Sequence, residues 1–207
     1  GRVPQLDALQ LVSHSDAHSP QKLGREADVL ETELSYPAVK RALETGDGLW
    51  GTVEFFPQEG KYHLDGHRNC GVCLEPSEAR KLGDVCPVCG RRLTIGVLHR
   101  VEALALRPEG ARPEGAKPFE SLVPLPELLS ASLGAGAASR RVQEAYLSLL
   151  RALGDEMHIL READPMDIER VAGFAAAEGV RRLRAGRVRR KGGFDGEYGE
   201  ISLFEPG

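Results

Sequence analysis

The chain has 207 residues, 41% of them hydrophobic and 28% charged, with 27 basic against 31 acidic side chains and a formal net charge of −4. That length suits one large globular domain or two small ones, and the mild negative charge predicts no polyanion partner by itself. No apolar run approaches the ~20 residues of a membrane span, and the opening GRVPQLDALQ lacks the regions of a secretory signal, so the expectation is a soluble, cytoplasmic protein without membrane contact.

In chain order, Leu9 to Val12 read as a short apolar strand that runs into the polar turn SHSDAHSPQKLGREA. The turn holds Asp16 and His18 two apart, with His14 close by and Ser13, Ser15 and Ser19 keeping the surroundings polar. A carboxylate beside an imidazole is the ligand mix of hydrolytic metal sites acting on phosphate esters. A polar turn whose Asp caps the next helix explains the same residues. SYPAVKRALETGDG then reads as a helix, with Ser35 as cap, Pro37 in the first turn and Gly46 as the stop. LWGTVEFFP follows as a strand rich in β-branched and aromatic residues. Polar groups just past a strand end are how α/β barrels and open sheets place catalytic residues. About 60 residues cannot close a barrel that needs ~200 or more, so the chain is expected to begin inside a domain.

The next segment carries all four cysteines. CGVC at 70–73 and CPVCG at 86–90 give the spacing C-x2-C-x12-C-x2-C. Close pairs in a chain without an export signal point to metal rather than disulfides. Each pair can bend into a knuckle that aims two thiolates at one ion, so Cys70, Cys73, Cys86 and Cys89 are expected to close a tetrahedral, structural zinc site. Two unrelated cysteine pairs are the bland alternative. His67, three residues before Cys70, is a possible substitute ligand, but four cysteines suffice.

RPEGARPEGAKP is a near-duplicated unit that reads as an exposed linker. From Leu122 the pattern turns helical. SRRVQEAYLSLLRALG places Val142, Ala145, Tyr146, Leu149, Leu150 and Leu153 at helical spacing between a Ser139 cap and a Gly154 stop. MHILRE reads as a short strand. DPMDIERVAGFAAAEGVRRLRAG reads as one helix, capped by Asp164 with Pro165 at its first position. A Gly-rich turn, KGGFDGEYGE, leads to a last strand, ISLF.

Residues 181–191 hold seven basic side chains and no acid: Arg181, Arg182, Arg184, Arg187, Arg189, Arg190 and Lys191. Cations are favoured in a helix's last turn, so a solvated helix end accounts for some of them. Seven in eleven exceeds that need, and Arg187, Arg189 and Arg190, beyond the expected helix end, are the best candidates for DNA phosphates. Arg182, Arg184 and Lys191 complete the candidate patch. Phe194 and Tyr198 sit on the Gly-rich turn, where they either wedge or stack against bases or pack on the core.

Four of these stretches together carry a family resemblance. VSHSDAHSPQKLGREA looks like the last metal motif of a PHP (polymerase and histidinol phosphatase) domain. With GTVEFFPQEGKYHLDGHRNCGV, CPVCGRRLTIGVLHRVEALA and FDGEYGEISLF, the chain resembles the C-terminal half of endonuclease Q. The resemblance implies a DNA-repair enzyme that hydrolyses a phosphodiester 5′ of deaminated bases (hypoxanthine, uracil, xanthine) and abasic sites. Asp16 and His18 become catalytic ligands of a divalent cluster of Zn, Mn or Mg, and the cysteines hold a structural zinc. The remaining PHP ligands, including a His-x-His motif, have no match here, and HLDGH at 63–67 lies on the wrong side of the turn, so the chain is expected to be an inactive fragment.

The expected fold is α+β and multi-modular: the C-terminal part of a PHP α/β barrel over 1–64, a zinc ribbon over 65–104, a linker over 105–121, and a helical DNA-binding domain over 122–207 ending in a short strand. A non-catalytic zinc-ribbon nucleic-acid-binding module and a PHP-type small-molecule phosphatase are the competing classes. The partner implied is DNA containing deaminated bases or abasic sites. The terminal EISLF is also similar to the Gln-Leu-Ser-Leu-Phe motif that docks on bacterial sliding clamps, which adds a sliding clamp as a partner.

Overall fold

In a computed structural model, which describes residues 1–20 and 23–204, the fold is α+β and the chain divides into two units. The first comprises Gly1–Ser121 together with Lys191–Glu200, and the second comprises Leu122–Arg190 with the chain from Ile201 onward. Lys191–Glu200 therefore returns to a unit whose other residues end 70 positions earlier.

The first unit opens with strand β1 (Ala27–Leu30), helix α1 (Tyr36–Thr45) and strand β2 (Leu49–Glu54). Ser35 accepts the Ala38 N–H at the start of α1, and Gly46, at φ 79°, ends it in the left-handed conformation that glycine adopts without strain. β2 buries Leu49, Thr52 and Val53, so both of its faces are covered towards its end, while Trp50 stays partly exposed. β1 pairs antiparallel with β2, and β5 (Phe119–Ser121) pairs parallel with its other edge. Among the described residues this three-stranded sheet is not a closed barrel.

The strand expected over Leu9–Val12 is absent. Leu9, Leu11 and Val12 are exposed, at 59%, 60% and 43%. Extended backbone becomes a strand only where a neighbour satisfies its N–H and C=O groups, and none lies alongside among the described residues.

Strands β3 (Asp65–His67) and β4 (Val72–Leu74) form an antiparallel hairpin, followed by helices α2 (Pro76–Lys81) and α3 (Val97–Leu104). Their core holds four buried residues, Val72, Ala79, Cys86 and Leu93, with Cys70 and Leu74 packed against them. Such a core is too small to stabilise a module alone, which is where a metal or a tether adds most. Asp65 is fully buried. Its carboxylate accepts the Gly96 N–H at 2.7 Å, at the start of α3, and meets His99 Nδ1 at 2.6 Å. The returning segment supplies a tether: Gly193 accepts the Leu64 N–H, and Asp195 accepts both the Arg68 N–H and the Thr94 hydroxyl at 2.6 Å.

The second unit packs helices α4 (Leu125–Leu133), α5 (Arg140–Leu153), α6 (Glu156–Arg161), α7 (Pro165–Ala172) and α8 (Phe174–Arg184) around Leu125, Leu128, Leu129, Val142, Leu149, Ile159, Ile168 and Val180, all fully buried. Ser139 caps α5 by accepting the Val142 N–H, and Asp164 caps α7 by accepting that of Met166. Two expectations are corrected here. MHILRE is not a strand but lies in helix α6, because Asp155 accepts the His158 N–H and starts a turn that buries Ile159 and Leu160. The expected single helix from Pro165 breaks at Gly173, whose φ of 87° and ψ of 167° lie in a region open essentially to glycine alone.

Strands β6 (Arg189–Lys191) and β7 (Glu200–Ser202) form a two-stranded ribbon containing both points where the chain changes unit. No helix among the described residues is long and apolar enough to cross a membrane.

Candidate functional site

Four side chains converge in the hairpin module. The ligand atoms of His67, Cys70, Cys86 and Cys89 all lie within 4.8 Å of one another, and the Cys89 sulfur is 3.5 Å from His67 Nδ1. Three thiols and one imidazole make a donor set that could hold a tetrahedrally coordinated metal ion, with no position left open for a substrate. Burial, then hydrogen bonding with Cys89 and Cys86, pushes the Cys70 thiol up to about 11. For Cys86 the upward push of burial is outweighed by hydrogen bonds from the Cys89 and Val88 main chain, and its pKa falls to about 7. Cys86 is thus a readier source of thiolate than Cys70, and a bound cation would favour the anionic form that ligation requires.

Cys73 lies outside this group, which differs from the four-cysteine set expected from the sequence. It sits between Val72 and Leu74 on β4, and these two face the small core. Alternation along the strand turns Cys73 to the opposite face, where it is exposed. His67, at the end of β3, takes its place. A signal for this exists in the sequence: HRNCG and CPVCG repeat one pattern, ligand-x2-ligand-Gly, whereas CGVCL does not. Gly71 and Gly90 occupy matching left-handed positions, at φ 64° and 72°, though their N–H groups close turns of different size, Gly71 onto the Arg68 carbonyl three residues back and Gly90 onto the Cys86 carbonyl four residues back.

The Asp16–His18 turn is exposed. Asp16 adopts a left-handed conformation, φ 44°, and its carbonyl oxygen lies 2.7 Å from His18 Nδ1. A carbonyl only accepts, so Nδ1 is the donor in this contact and Nε2 is the ring nitrogen available to ligate a metal. Ser13 is buried, donating its N–H to Asp28 and its hydroxyl to Glu26, whose pKa is raised mainly by burial. His14 stands 3.7 Å from Asp28. Among the described residues no group of three or more potential ligands includes Asp16 or His18.

The arginine block separates into two sets. Arg184 donates to the Leu160 and Ile159 carbonyls at 2.9 and 3.0 Å, capping the C-terminal end of α6, and burial lowers its pKa. Arg182 bonds Glu178 at 2.8 Å and the Leu203 carbonyl at 3.0 Å, and its guanidinium lies 4.8 Å above the Phe204 ring. Both side chains are hydrogen-bonded within the protein, where the sequence suggested outward-facing contacts. Arg181 pairs with Glu169 and Glu178. Arg187, Arg189, Arg190 and Lys191 are exposed, with the Lys191 ammonium 3.8 Å from Glu200. Arg182, Arg187 and Arg189 line an open groove of about 740 Å³ with Val188 and Ser202 to Phe204. Guanidinium groups in such a groove suit phosphate oxygens.

The Gly-rich turn places its aromatics differently. Phe194 is buried, 9% exposed, and packs so closely on Gly66 that a Cβ there would overlap its ring. It is unavailable as a wedge, and only Tyr198, 74% exposed, faces outward. In the terminal EISLF, Leu203 is 4% exposed and Phe204 lies against Arg182, so neither side chain is presented as a free docking peptide.

Comparisons with known proteins place these features in context. The model of a family described as the MJ0043 C-terminal domain matches residues 124–187. The uncharacterized protein MJ0043 of Methanocaldococcus jannaschii is 31% identical over 99% of this chain and 26% of its own length. The uncharacterized protein YqxK of Bacillus subtilis is 29% identical over 96% of this chain and 48% of its own. Among solved structures, the lesion-specific endonuclease PfuEndoQ from Pyrococcus furiosus superposes with a TM-score of 0.85 at 27% identity, covering 99% of this chain and 52% of that one. Endonuclease Q in complex with a 27-mer duplex carrying an abasic lesion gives a TM-score of 0.82 at 28% identity, with the same coverage. The chain thus spans about half or less of the length of each relative.

Proposed function

We propose, on the premise that this chain resembles the C-terminal half of endonuclease Q in sequence and in fold, that it is part of a DNA-repair endonuclease. The reaction assigned is metal-dependent phosphodiester hydrolysis 5′ of deaminated bases (hypoxanthine, uracil, xanthine) and abasic sites. One observation carries the reading: the superposition on a lesion-specific endonuclease at a TM-score of 0.85 extends over 99% of the chain.

Within this reading the residues divide their work. His67, Cys70, Cys86 and Cys89 hold a structural zinc, for which three sulfurs and one ring nitrogen are a fitting donor set. Asp16 and His18, in the part assigned to a PHP domain, belong to the catalytic metal site, and the free Nε2 of His18 supports that assignment. Two ligands do not compose a hydrolytic centre, so no catalytic step is derived from them. Arg187, Arg189, Arg190 and Lys191 contact DNA phosphates, which fix the position of a protein on a duplex without reading its sequence.

The test is incision of duplexes carrying a single abasic site, hypoxanthine or uracil by the full-length protein, with undamaged duplex as control. Nicking on the 5′ side of the lesion, abolished by Asp16→Asn without loss of DNA binding, is expected. Binding without any lesion-dependent incision overturns the enzyme assignment in favour of a non-catalytic binding module, and hydrolysis of small phosphomonoesters instead points to a phosphatase.

A further inference from the structure

Two loops of the first unit hold a pair of tyrosines out of the surface with one ammonium between them. Tyr62 is 47% exposed and Tyr198 is 74% exposed. The Lys61 ammonium lies 5.8 Å from the centre of the Tyr62 ring and 5.6 Å from that of Tyr198. Arg68 flanks the pair: a Cβ on Gly196 would sit 3.5 Å from its Nη1 and 3.8 Å from the Tyr62 hydroxyl. These residues come from chain segments more than a hundred positions apart, and the backbone around them is fixed. Gly196 donates to the Lys61 carbonyl at 2.9 Å, Phe194 and Glu197 exchange both of their main-chain hydrogen bonds, and Gly199 donates to the Glu59 carbonyl. Asp195, at φ 43°, anchors the turn to Arg68 and Thr94, and the buried Phe194 ring fills the space behind it.

Exposed aromatic rings cost free energy in contact with water, and a chain has cheaper polar residues for a turn tip. Here main-chain hydrogen bonds hold the backbone that carries the rings, so binding a flat partner orders little further backbone. The cations beside them suit an anionic backbone. Stacking faces and positive charges at this spacing are what a single-stranded nucleic acid uses, with bases on the rings and phosphates on the ammonium and guanidinium.

We propose that Tyr62 and Tyr198, with Lys61 and Arg68, form a stacking platform for unstacked nucleotides of a DNA strand. The proposal rests on the reading of this chain as part of a DNA-repair enzyme and adds to it where an unpaired base is received. An enzyme that opens a duplex at a lesion must hold exposed bases apart from the stack, and a platform of this kind lowers the cost of doing so. Arg187, Arg189 and Arg190 act through phosphates alone, so the two surfaces contribute different signatures to binding.

The experiment is fluorescence titration of the chain, at several salt concentrations, with a single-stranded oligonucleotide containing 2-aminopurine. Wild type is expected to bind and to quench the probe, as a stacked fluorescent base does. Tyr62→Ala with Tyr198→Ala should weaken binding by about tenfold or more and abolish the quenching while leaving the salt slope unchanged. Tyr62→Phe with Tyr198→Phe should restore both, since phenylalanine retains the stacking face. Lys61→Ala should instead lower the salt slope by about 0.7, the value for one phosphate contact on a single strand. If the double alanine variant binds and quenches as wild type does, the platform is refuted while the DNA-repair reading stands. A wild-type chain that binds neither single-stranded nor duplex DNA at low salt refutes both. Capture of neither oligonucleotide but of a protein partner whose binding depends on the two tyrosines refutes the nucleotide assignment alone.

Discussion

The Cys89 sulfur and the His67 ring nitrogen lie 3.5 Å apart across 22 residues of sequence, and this contact brings an imidazole, rather than a fourth cysteine, into the candidate metal-ligand set. Each knuckle contributes two donors and a glycine that turns the chain back. The hairpin supplies one donor pair, and the loop after α2 supplies the other.

Cys73→Ser is therefore expected to retain about one zinc per chain, whereas Cys70→Ser, Cys86→Ser and Cys89→Ser lose it. Elemental analysis decides the matter, and cobalt substitution distinguishes three sulfur ligands from four by its charge-transfer intensity. Loss of the metal from Cys73→Ser alone would restore the four-cysteine set. Acid should release the ion from wild type, because protons compete for the thiolates.

The arginines should separate by what they disturb. Arg184→Ala removes two hydrogen bonds to the Ile159 and Leu160 carbonyls and should destabilise the helical unit by about 1–3 kcal/mol. Arg187→Ala with Arg189→Ala should change stability by less than about 0.5 kcal/mol. It should also flatten the log–log salt dependence of duplex binding by about 2, from two lost phosphate contacts. Denaturant unfolding and salt titration, run on both variants, check the division.

Gly173→Ala should cost the helical unit about 1–3 kcal/mol, since a Cβ is disfavoured at φ 87° and ψ 167°. No heavy atom lies within 4 Å of the position a Cβ would take, so the loss comes from the backbone and not from a clash. An unfolding midpoint equal to wild type would mean that α7 and α8 rearrange into one helix.

Asp195 carries a pH prediction. Its hydrogen bonds to the Thr94 hydroxyl and then to the Arg68 N–H hold its carboxyl below the ordinary value of 3.8. A carboxylate depressed in the folded state adds stability that is fully present above its unfolded pKa and is lost as the pH falls through the folded one. Asp195→Asn, which tolerates the left-handed backbone, should be less stable than wild type above about pH 4. The two should converge in more acidic buffer, and parallel unfolding curves at both ends of the range check this.

The helix caps were legible because they act within one turn. Ser35, Ser139 and Asp164 sit where short polar side chains meet the first N–H groups, and each does so in the structure. Helix α6 was not legible as a helix, since six residues give too little periodicity, and Arg184, which closes its far end, comes 24 positions after Leu160. Leu9–Val12 showed the composition of a strand, but composition cannot report whether a neighbour is present. At the candidate metal site the two C-x2-C pairs drew attention from the glycine repeated after Cys70 and Cys89, which follows the two donor pairs that converge in the structure. The burial of Phe194 depends on its close fit against Gly66, more than a hundred residues earlier, which no local pattern reveals.

The return of Lys191–Glu200 to the first unit has a consequence for the order in which the protein is made. The Arg68 N–H and the Thr94 hydroxyl leave the ribosome long before the Asp195 carboxylate that binds them, and the whole of residues 122–190 is synthesised in between. At ~5–20 residues per second, that interval lasts on the order of several seconds. The helical unit, rich in local contacts, has time to fold first, while the earlier segment waits unfinished with its knuckles untethered. A chain truncated between residues 190 and 195 would carry a nearly complete helical unit and a first unit that lacks its last anchor, and proteolysis of such truncated chains should begin near the hairpin of β3 and β4.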